Sequence, residues 1–311
     1  MTTLIKALLS PQDDPLKRPT FFQDLPWPLL CSPKLDGIRC LPQPGEFAPT
    51  TVYSRSCKPL RSKQLQLQFG LPELNYLDSE GIEGNPCTPD CYTRSDSHIM
   101  SFDKPGDLAL YVFDDASPEL HNKSFWYRLQ TAQERVDKLS RPDVVFVEHE
   151  LCTNLEELLI AEAKYLAMGF EGVMMRTQRG AYKTHARCTW NDQIIYKLKR
   201  FKDDEGILVG LEENDTNTNA LEVNELGYAK RSKAAAGLVP GGRVGTFLVN
   251  FKGMTLRIAP GVFKHAQLIE IWNNPEKYVG KKLIKFRHFE IGVKDLPRFG
   301  RAVGFRDCID L

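Results

Sequence analysis

Between residues 153 and 176 the hydrophobic period changes within a few residues from helical to strand-like, a switch that excludes all-helical and all-strand folds. Thr153 and Glu156 have the spacing of a capping box, Leu155, Leu158, Leu159, Glu162 and Leu166 recur at helical intervals, and Gly169 offers a stop. FEGVMMR follows at once as a strand, with Glu171, Val173 and Met175 on one face and Phe170, Gly172 and Met174 on the other. IIYKLKR at 194–200 alternates in the same way: Ile194, Tyr196 and Leu198 point one way, Ile195, Lys197 and Lys199 the other, so two lysines project together. Segments of both kinds alternate along the chain without an internal repeat, a low-complexity tract or a heptad seam, which predicts a mixed α and β architecture. After FKDDE at 201–205 the character shifts to short apolar stretches (GILVGL, GTFLVNF, TLRIAP) between polar, glycine-rich ones, so a small β-rich second domain is expected from about residue 202.

A chain of 311 residues with 42% hydrophobic residues can bury a substantial core, and its length suits about two domains. Forty-one Lys and Arg stand against forty Asp and Glu, so any surface for a polyanion must be local rather than a property of the whole molecule. The segment MTTLIKALLSPQDDP lacks the apolar core of a secretory signal, and no apolar run approaches the roughly 20 residues of a membrane span. A cytoplasmic protein without membrane contact is the expectation. The eight cysteines are dispersed without paired C-x-x-C spacing, which reads as reduced thiols rather than zinc ligands.

The segment that points to chemistry is PKLDGIR at 33–39, a K-x-D-G-x-R pattern. A neutral lysine amine can attack the α-phosphate of a nucleotide, giving a phosphoramidate and pyrophosphate. Lysine is normally protonated at neutral pH, so neighbours that favour the neutral form are expected, with Arg39 and a bound cation as candidates. On a strand Lys34 and Asp36 share a face, and Gly37 lets the chain turn so that Arg39 comes back toward a ribose or phosphate.

Further motifs stand in order behind it: YSRSCKPLR at 53–61, LDSEGIEG at 77–84, YVFDDAS at 111–117, GFEGVMMR at 169–176 and YKLKRFKD at 196–203. NELGYAKRS at 224–232, LIKFRHFEIGVKDLPRF at 283–299 and GFRDCID at 304–310 follow. Together they resemble the nucleotidyltransferase superfamily of DNA ligases, RNA ligases and capping enzymes, and most closely the minimal ATP-dependent DNA ligases of the Chlorella virus type. The resemblance spans nearly the whole chain. It implies an α+β fold: a nucleotidyltransferase (adenylation) domain of antiparallel sheets with flanking helices over residues 1–201, then a C-terminal OB-fold β-barrel over 202–311.

Carried over motif by motif, the resemblance makes Lys34 the adenylated nucleophile and places Ser32, Arg39, Arg55 and Arg187 among the nucleotide contacts. Phe113 would stack on adenine, and Lys197 and Lys199 would neutralise phosphates. Glu80 and Glu171 would hold the ribose or a magnesium or manganese ion. The family's D-G-E is Asp78-Ser79-Glu80 here, and a register one residue short before Ile82 leaves Glu83 as the alternative acid. Asp36, Arg298 and Asp310 complete the catalytic set, the last two orienting the leaving pyrophosphate. The polar segment at about 210–243 corresponds to a latch that wraps duplex DNA, with Tyr228, Lys230, Arg231 and Lys233 on phosphates.

The activity so implied is ATP-dependent sealing of 3′-hydroxyl/5′-phosphate nicks in duplex DNA by a monomer, serving repair, replication or recombination in the cytoplasm or in the host-cell compartment of a virus or phage. An RNA ligase or a capping guanylyltransferase would share K-x-D-G-x-R, and a catalytically silent nick-binding module would keep the fold. The YKLKRFKD junction and the latch-like insert favour the DNA ligase over the former, and intact Lys34, Glu171, Lys197 and Lys199 favour an enzyme over the latter.

Overall fold

A computed structural model describes the chain except for residues 1–3, 13, 46–47, 185, 224–228, 233, 292–296 and 308–311; side chains at 289–291, 298–299 and 307 are also outside the description. The chain divides into two compact units, Met1–Lys199 and Arg200–Leu311. Among the described residues no helix is long and apolar enough to cross a membrane.

The first unit is built on two sheets. One is antiparallel, with strands in the order Glu150–Cys152, Leu29–Pro33, Val173–Thr177 and Ile195–Leu198. The other runs Thr51–Tyr53, Ile38–Gln43, Leu77–Glu83, Leu108–Asp115 and Val144–Phe146, antiparallel except for its last pair. Leu29, Cys31, Val173, Met175, Tyr196 and Leu198 bury one face of the first sheet, as the period-two alternation requires. Cys40, Val52, Leu77, Leu110 and Val112 do the same in the second.

Helices cover these sheets, and their starts are set by short polar side chains. Ser62 caps Lys63–Phe69 by accepting from the Leu65 amide at 3.3 Å, and Ser124 caps Phe125–Leu139 by accepting from Tyr127 at 3.2 Å. The helix read from residue 153 onward is Leu155–Ala167, but its cap lies one residue later than the capping-box spacing indicates. Asn154 accepts from the Glu157 amide at 3.0 Å, and Glu157 reaches back to the Thr153 amide at 2.6 Å. The buried face follows the shift: Leu158, Ala161, Glu162 and Tyr165 are inside, whereas Leu155, Leu159 and Leu166 are exposed. The strand behind it begins at Val173, after Glu171 and Gly172.

The second unit is one antiparallel sheet in the order Met254–Ile258, Leu238–Phe251, Lys202–Asn217, Lys282–Ile291 and Pro297–Asp307, with the helix His265–Asn273. Phe247, Val249, Leu256, Ile258, Ile284 and Phe286 fill its core with Leu268 and Ile271 of that helix. The sheet's two edges meet at a bridge: Ala259 donates to the Gly300 carbonyl and accepts from the Ala302 amide, both at 2.9 Å. The curl is that of a partly open five-stranded barrel, the OB-like form.

The described residues of the polar stretch at 210–243 are largely strand. Its flanks continue the first two long strands of the unit, which stay paired out to Asn217 and Leu238, and the strands Leu221–Val223 and Ala229–Arg231 form a second small hairpin beyond them. Most side chains there are exposed on both faces, so no apolar alternation marks the strands, and backbone pairing alone defines them.

Candidate functional site

Lys34 stands where the chain leaves one sheet of the first unit for the other, between Leu29–Pro33 and Ile38–Gln43. Its backbone extends the pairing of the first sheet, donating to the Gly172 carbonyl at 2.9 Å and accepting from the Glu171 amide at 3.3 Å. Glu171 and Lys34 are thereby held side by side. Only glycine suits position 172, where φ is +152° and a Cβ would fall 2.2 Å from the Leu198 carbonyl oxygen. Gly37 permits a second close approach, since a Cβ there would lie 2.6 Å from the Gly81 carbonyl oxygen on the strand that carries Glu80.

The two oxygens of Glu171 accept from the ammonium groups of Lys34 and Lys199. Burial alone would lower the Lys34 pKa, but the Glu171 carboxylate, with Asp36 and Glu80 behind it, raises it instead. The expectation of neighbours that keep Lys34 neutral is not met: the Glu171 carboxylate holds the amine charged, and the Arg39 guanidinium is paired with Asp78. Burial lowers Lys199 to about 8 and, with the charges of Arg187 and Lys34, also lowers Lys197. Glu171 runs the other way, its carboxyl held below the ordinary value by the two lysines against the burial that would raise it.

Arg39 grips the fully buried Asp78 with two guanidinium nitrogens and donates to the Leu8 carbonyl at 3.2 Å. Asp78 also accepts from the Tyr182 hydroxyl at 2.6 Å, and that hydroxyl accepts from the Leu8 amide at 3.1 Å. The Arg39 guanidinium lies 4.6 Å from the Phe113 ring centroid, so the arginine orders the aromatic ring. Glu80 is the cross-strand neighbour of Arg39, and burial pushes its carboxyl up to about 7 although Arg39 and Lys34 pull it down. Glu83 faces Arg94 at 3.3 Å, and of the two acids it is Glu80 that lines the same cavity as Lys34.

These groups surround one cavity of about 580 Å³ between the two sheets, within the size range of ligand sites. Ser32, Lys34, Arg39, Arg55, Glu80, Phe113, Arg187 and Lys197 line it, together with Met174 and Arg176 of the GFEGVMMR segment. Asp36, Glu171 and Lys199 stand behind this lining and act on it through Lys34. Arg187 is tied by a 2.7 Å bond to the Ser10 carbonyl. Among the described residues no cluster of three or more His, Cys, Asp or Glu has the arrangement of a metal site.

In the second unit, Lys230 and Arg231 lie on the small hairpin of the arm, with the Arg231 guanidinium donating to the Asn219 carbonyl. Tyr228, Lys233 and Asp310 lie outside the described residues, and Arg298 is placed only by its backbone, on the strand Pro297–Asp307.

Three supporting features escaped the sequence reading. Asp78 and Tyr182 hold Arg39, and a buried cluster lies next to Phe113. In that cluster Asp114 accepts from Arg128 at 2.9 and 3.2 Å and from Arg176, while Arg128 donates to the carbonyls of Lys123 at 2.6 Å and Gly180 at 2.9 Å. Asp114 and Arg176 each stand inside a quoted motif, but nothing in the motifs pairs them with Arg128 on the helix Phe125–Leu139. The third is His149, which lines the cavity.

No protein-family model and no curated protein matches this sequence. Solved structures do. The chain is similar to the Chlorella virus DNA ligase-adenylate, with 26% identity over 97% of this chain and 100% of that one and a TM-score of 0.51. It also shares the fold of a Lig E DNA ligase at 16% identity, over 97% of this chain and 100% of that one, with a TM-score of 0.68.

Proposed function

We propose that this chain, an ATP-dependent DNA ligase by its likeness to the Chlorella virus enzyme, seals 3′-hydroxyl/5′-phosphate nicks in duplex DNA through a lysyl-AMP on Lys34. The observation that carries this is the position of the Lys34 amine: it lines a nucleotide-sized cavity that also holds Phe113, Arg39 and Glu80, and it hydrogen-bonds a carboxylate shared with Lys199.

In the first step the Lys34 nitrogen forms a bond to the α-phosphorus of ATP as the bond to pyrophosphate breaks. The ammonium proton already lies on a hydrogen bond to Glu171, which gives it a path off the amine. Lys197, with no ion pair or hydrogen bond among the described residues, is available to the phosphates, as is Arg55 at the cavity wall. In the second step an oxygen of the DNA 5′-phosphate attacks the adenylate phosphorus and Lys34 leaves, recovering a proton. In the third the 3′-hydroxyl attacks the activated phosphate and AMP departs. Positioning and charge neutralisation supply the acceleration of such transfers.

The donor set suits a magnesium or manganese ion that takes most of its ligands from water and phosphate. Such an ion needs only one or two carboxylates, and Glu171, which hydrogen-bonds Lys34, and Glu80, which lines the cavity, would supply them. When bound it would supply positive charge to the phosphate oxygens. The arm of the second unit, with Lys230 and Arg231, would contact the duplex backbone, and Arg298 and Asp310 would orient the pyrophosphate.

Incubation with α-labelled ATP or GTP and magnesium, followed by a denaturing gel and a nicked-duplex assay, tests this. Label from ATP that disappears in Lys34→Ala, together with sealing, is expected. Label from GTP alone would indicate capping, and nick binding without label would mean a binding module.

A further inference from the structure

His149 lines the same cavity but belongs to none of the motifs. Its Nδ1 stands 2.8 Å from the Val147 carbonyl oxygen. A carbonyl can only accept, so Nδ1 carries the hydrogen and Nε2 of the neutral ring is left as a bare acceptor. Among the described residues nothing hydrogen-bonds Nε2. The ring is held edge-on to Phe125, with centroids 5.4 Å apart. Burial and the Arg176 guanidinium bring its pKa down to about 4, so it stays uncharged at neutral pH.

The placement relative to Phe113 gives that acceptor a use. The Val147 amide donates to the Val112 carbonyl at 2.8 Å, continuing the parallel pairing of Leu108–Asp115 with Val144–Phe146. Residue 147 is thereby set beside residue 113. Phe113, Val147 and His149 all line the cavity, the last two separated by the two-residue step that keeps side chains on one side of an extended chain. A purine stacked on Phe113 would present an edge toward the segment that carries Val147 and His149.

Resting on the Lys34 adenylation proposed above, we infer that His149 selects the base, its Nε2 accepting a hydrogen bond from the 6-amino group of adenine. A 6-oxo purine such as guanine would oppose an acceptor to an acceptor at the same point, and a purine without a 6-substituent would leave Nε2 unpaired. His149 is thus a specificity residue for the nucleotide rather than part of the phosphoryl chemistry.

The test compares formation of the covalent Lys34 adduct from α-labelled ATP and from purine ribonucleoside triphosphate, which lacks the 6-amino group. One hydrogen bond to a neutral acceptor corresponds to a preference for ATP in kcat/KM of up to about tenfold. His149→Leu should bring the two nucleotides to equal rates by slowing ATP alone. His149→Gln, whose amide oxygen accepts in place of Nε2, should restore most of the preference. An unchanged ratio in His149→Leu, including equal slowing of both nucleotides, overturns the assignment while the adduct leaves Lys34 in place as the nucleophile. Absence of a Lys34 adduct from either nucleotide in the unmodified protein would overturn the adenylation proposal and this one with it.

Discussion

Replacing Asp114 by asparagine should destabilise the first unit strongly while changing almost no volume. Asp114 is fully buried and faces two guanidinium groups, Arg128 and Arg176, which are themselves 0% and 3% exposed. Both arginines pull its carboxyl below the ordinary value despite the burial that would raise it. The amide cannot match the charge, so two buried cations would lose their counterion at once. Breaking a buried pair by removing one partner costs about 3–5 kcal/mol. For a unit of this length that corresponds to a fall of roughly 6–20 °C in Tm.

Chemical denaturation followed by fluorescence, with the slope compared between variants, measures the loss directly. The pH dependence provides a second check. A depressed carboxyl contributes stability above its unfolded value, about 3.9, and loses it as pH falls through the lower folded value. The gap between the parent protein and Asp114→Asn should therefore be full at neutral pH, begin to narrow near pH 4 and close as pH falls through the lower folded value. A loss under 1 kcal/mol at pH 7 would refute the claim that this cluster ties the Phe113 strand to the helix and the opposite sheet.

Other perturbations follow from the site. Tyr182→Phe removes the hydroxyl that bridges Asp78 and the Leu8 amide; a loss of about 1–3 kcal/mol in stability is expected from the unsatisfied groups, with slower adenylation as Arg39 loosens. Glu80 titrates at about 7, so the magnesium concentration needed for half-maximal adenylation should fall as pH rises from 6 to 8, and Glu80→Gln should flatten that dependence. Replacing Lys230 and Arg231 together by alanine should leave adenylation of Lys34 intact, weaken nicked-duplex binding, and reduce the salt slope of binding by about two. A slope unchanged by filter binding or anisotropy would remove these residues from the DNA surface.

The legible parts of the molecule are those in which local chemistry and fold agree. The switch from helix to strand around residue 169 and the alternation in IIYKLKR both appear as period changes, and Tyr196 and Leu198 are buried while Ile195 and Lys197 line the cavity. The helix cap at Asn154 was missed by one residue because Thr153, Asn154, Glu156 and Glu157 offer two overlapping capping patterns, and only tertiary packing of Leu158 and Tyr165 decides between them. The segment at 210–243 stood out by its polarity, but its strands did not, because a strand exposed on both faces leaves no hydrophobic period.

Lys34, Glu171 and Lys199 each sit in a dense motif, and the structure brings the three together. Their electrostatics were not legible in the sequence, since the carboxylate that keeps Lys34 charged is 137 residues away in the chain. Arg128 and Tyr182 were invisible because a buried arginine or tyrosine in sequence looks like any surface one until its partner is in place.

The most direct test of the central claim uses protein loaded with labelled AMP, freed of ATP, and mixed with an excess of nicked duplex bearing a 5′-phosphate. The label should pass from Lys34 to the DNA end and then to free AMP, with one nick sealed per adenylate consumed. Label that stays on the protein in the presence of bound nick, or sealing that proceeds without loss of the adenylate, would contradict the account.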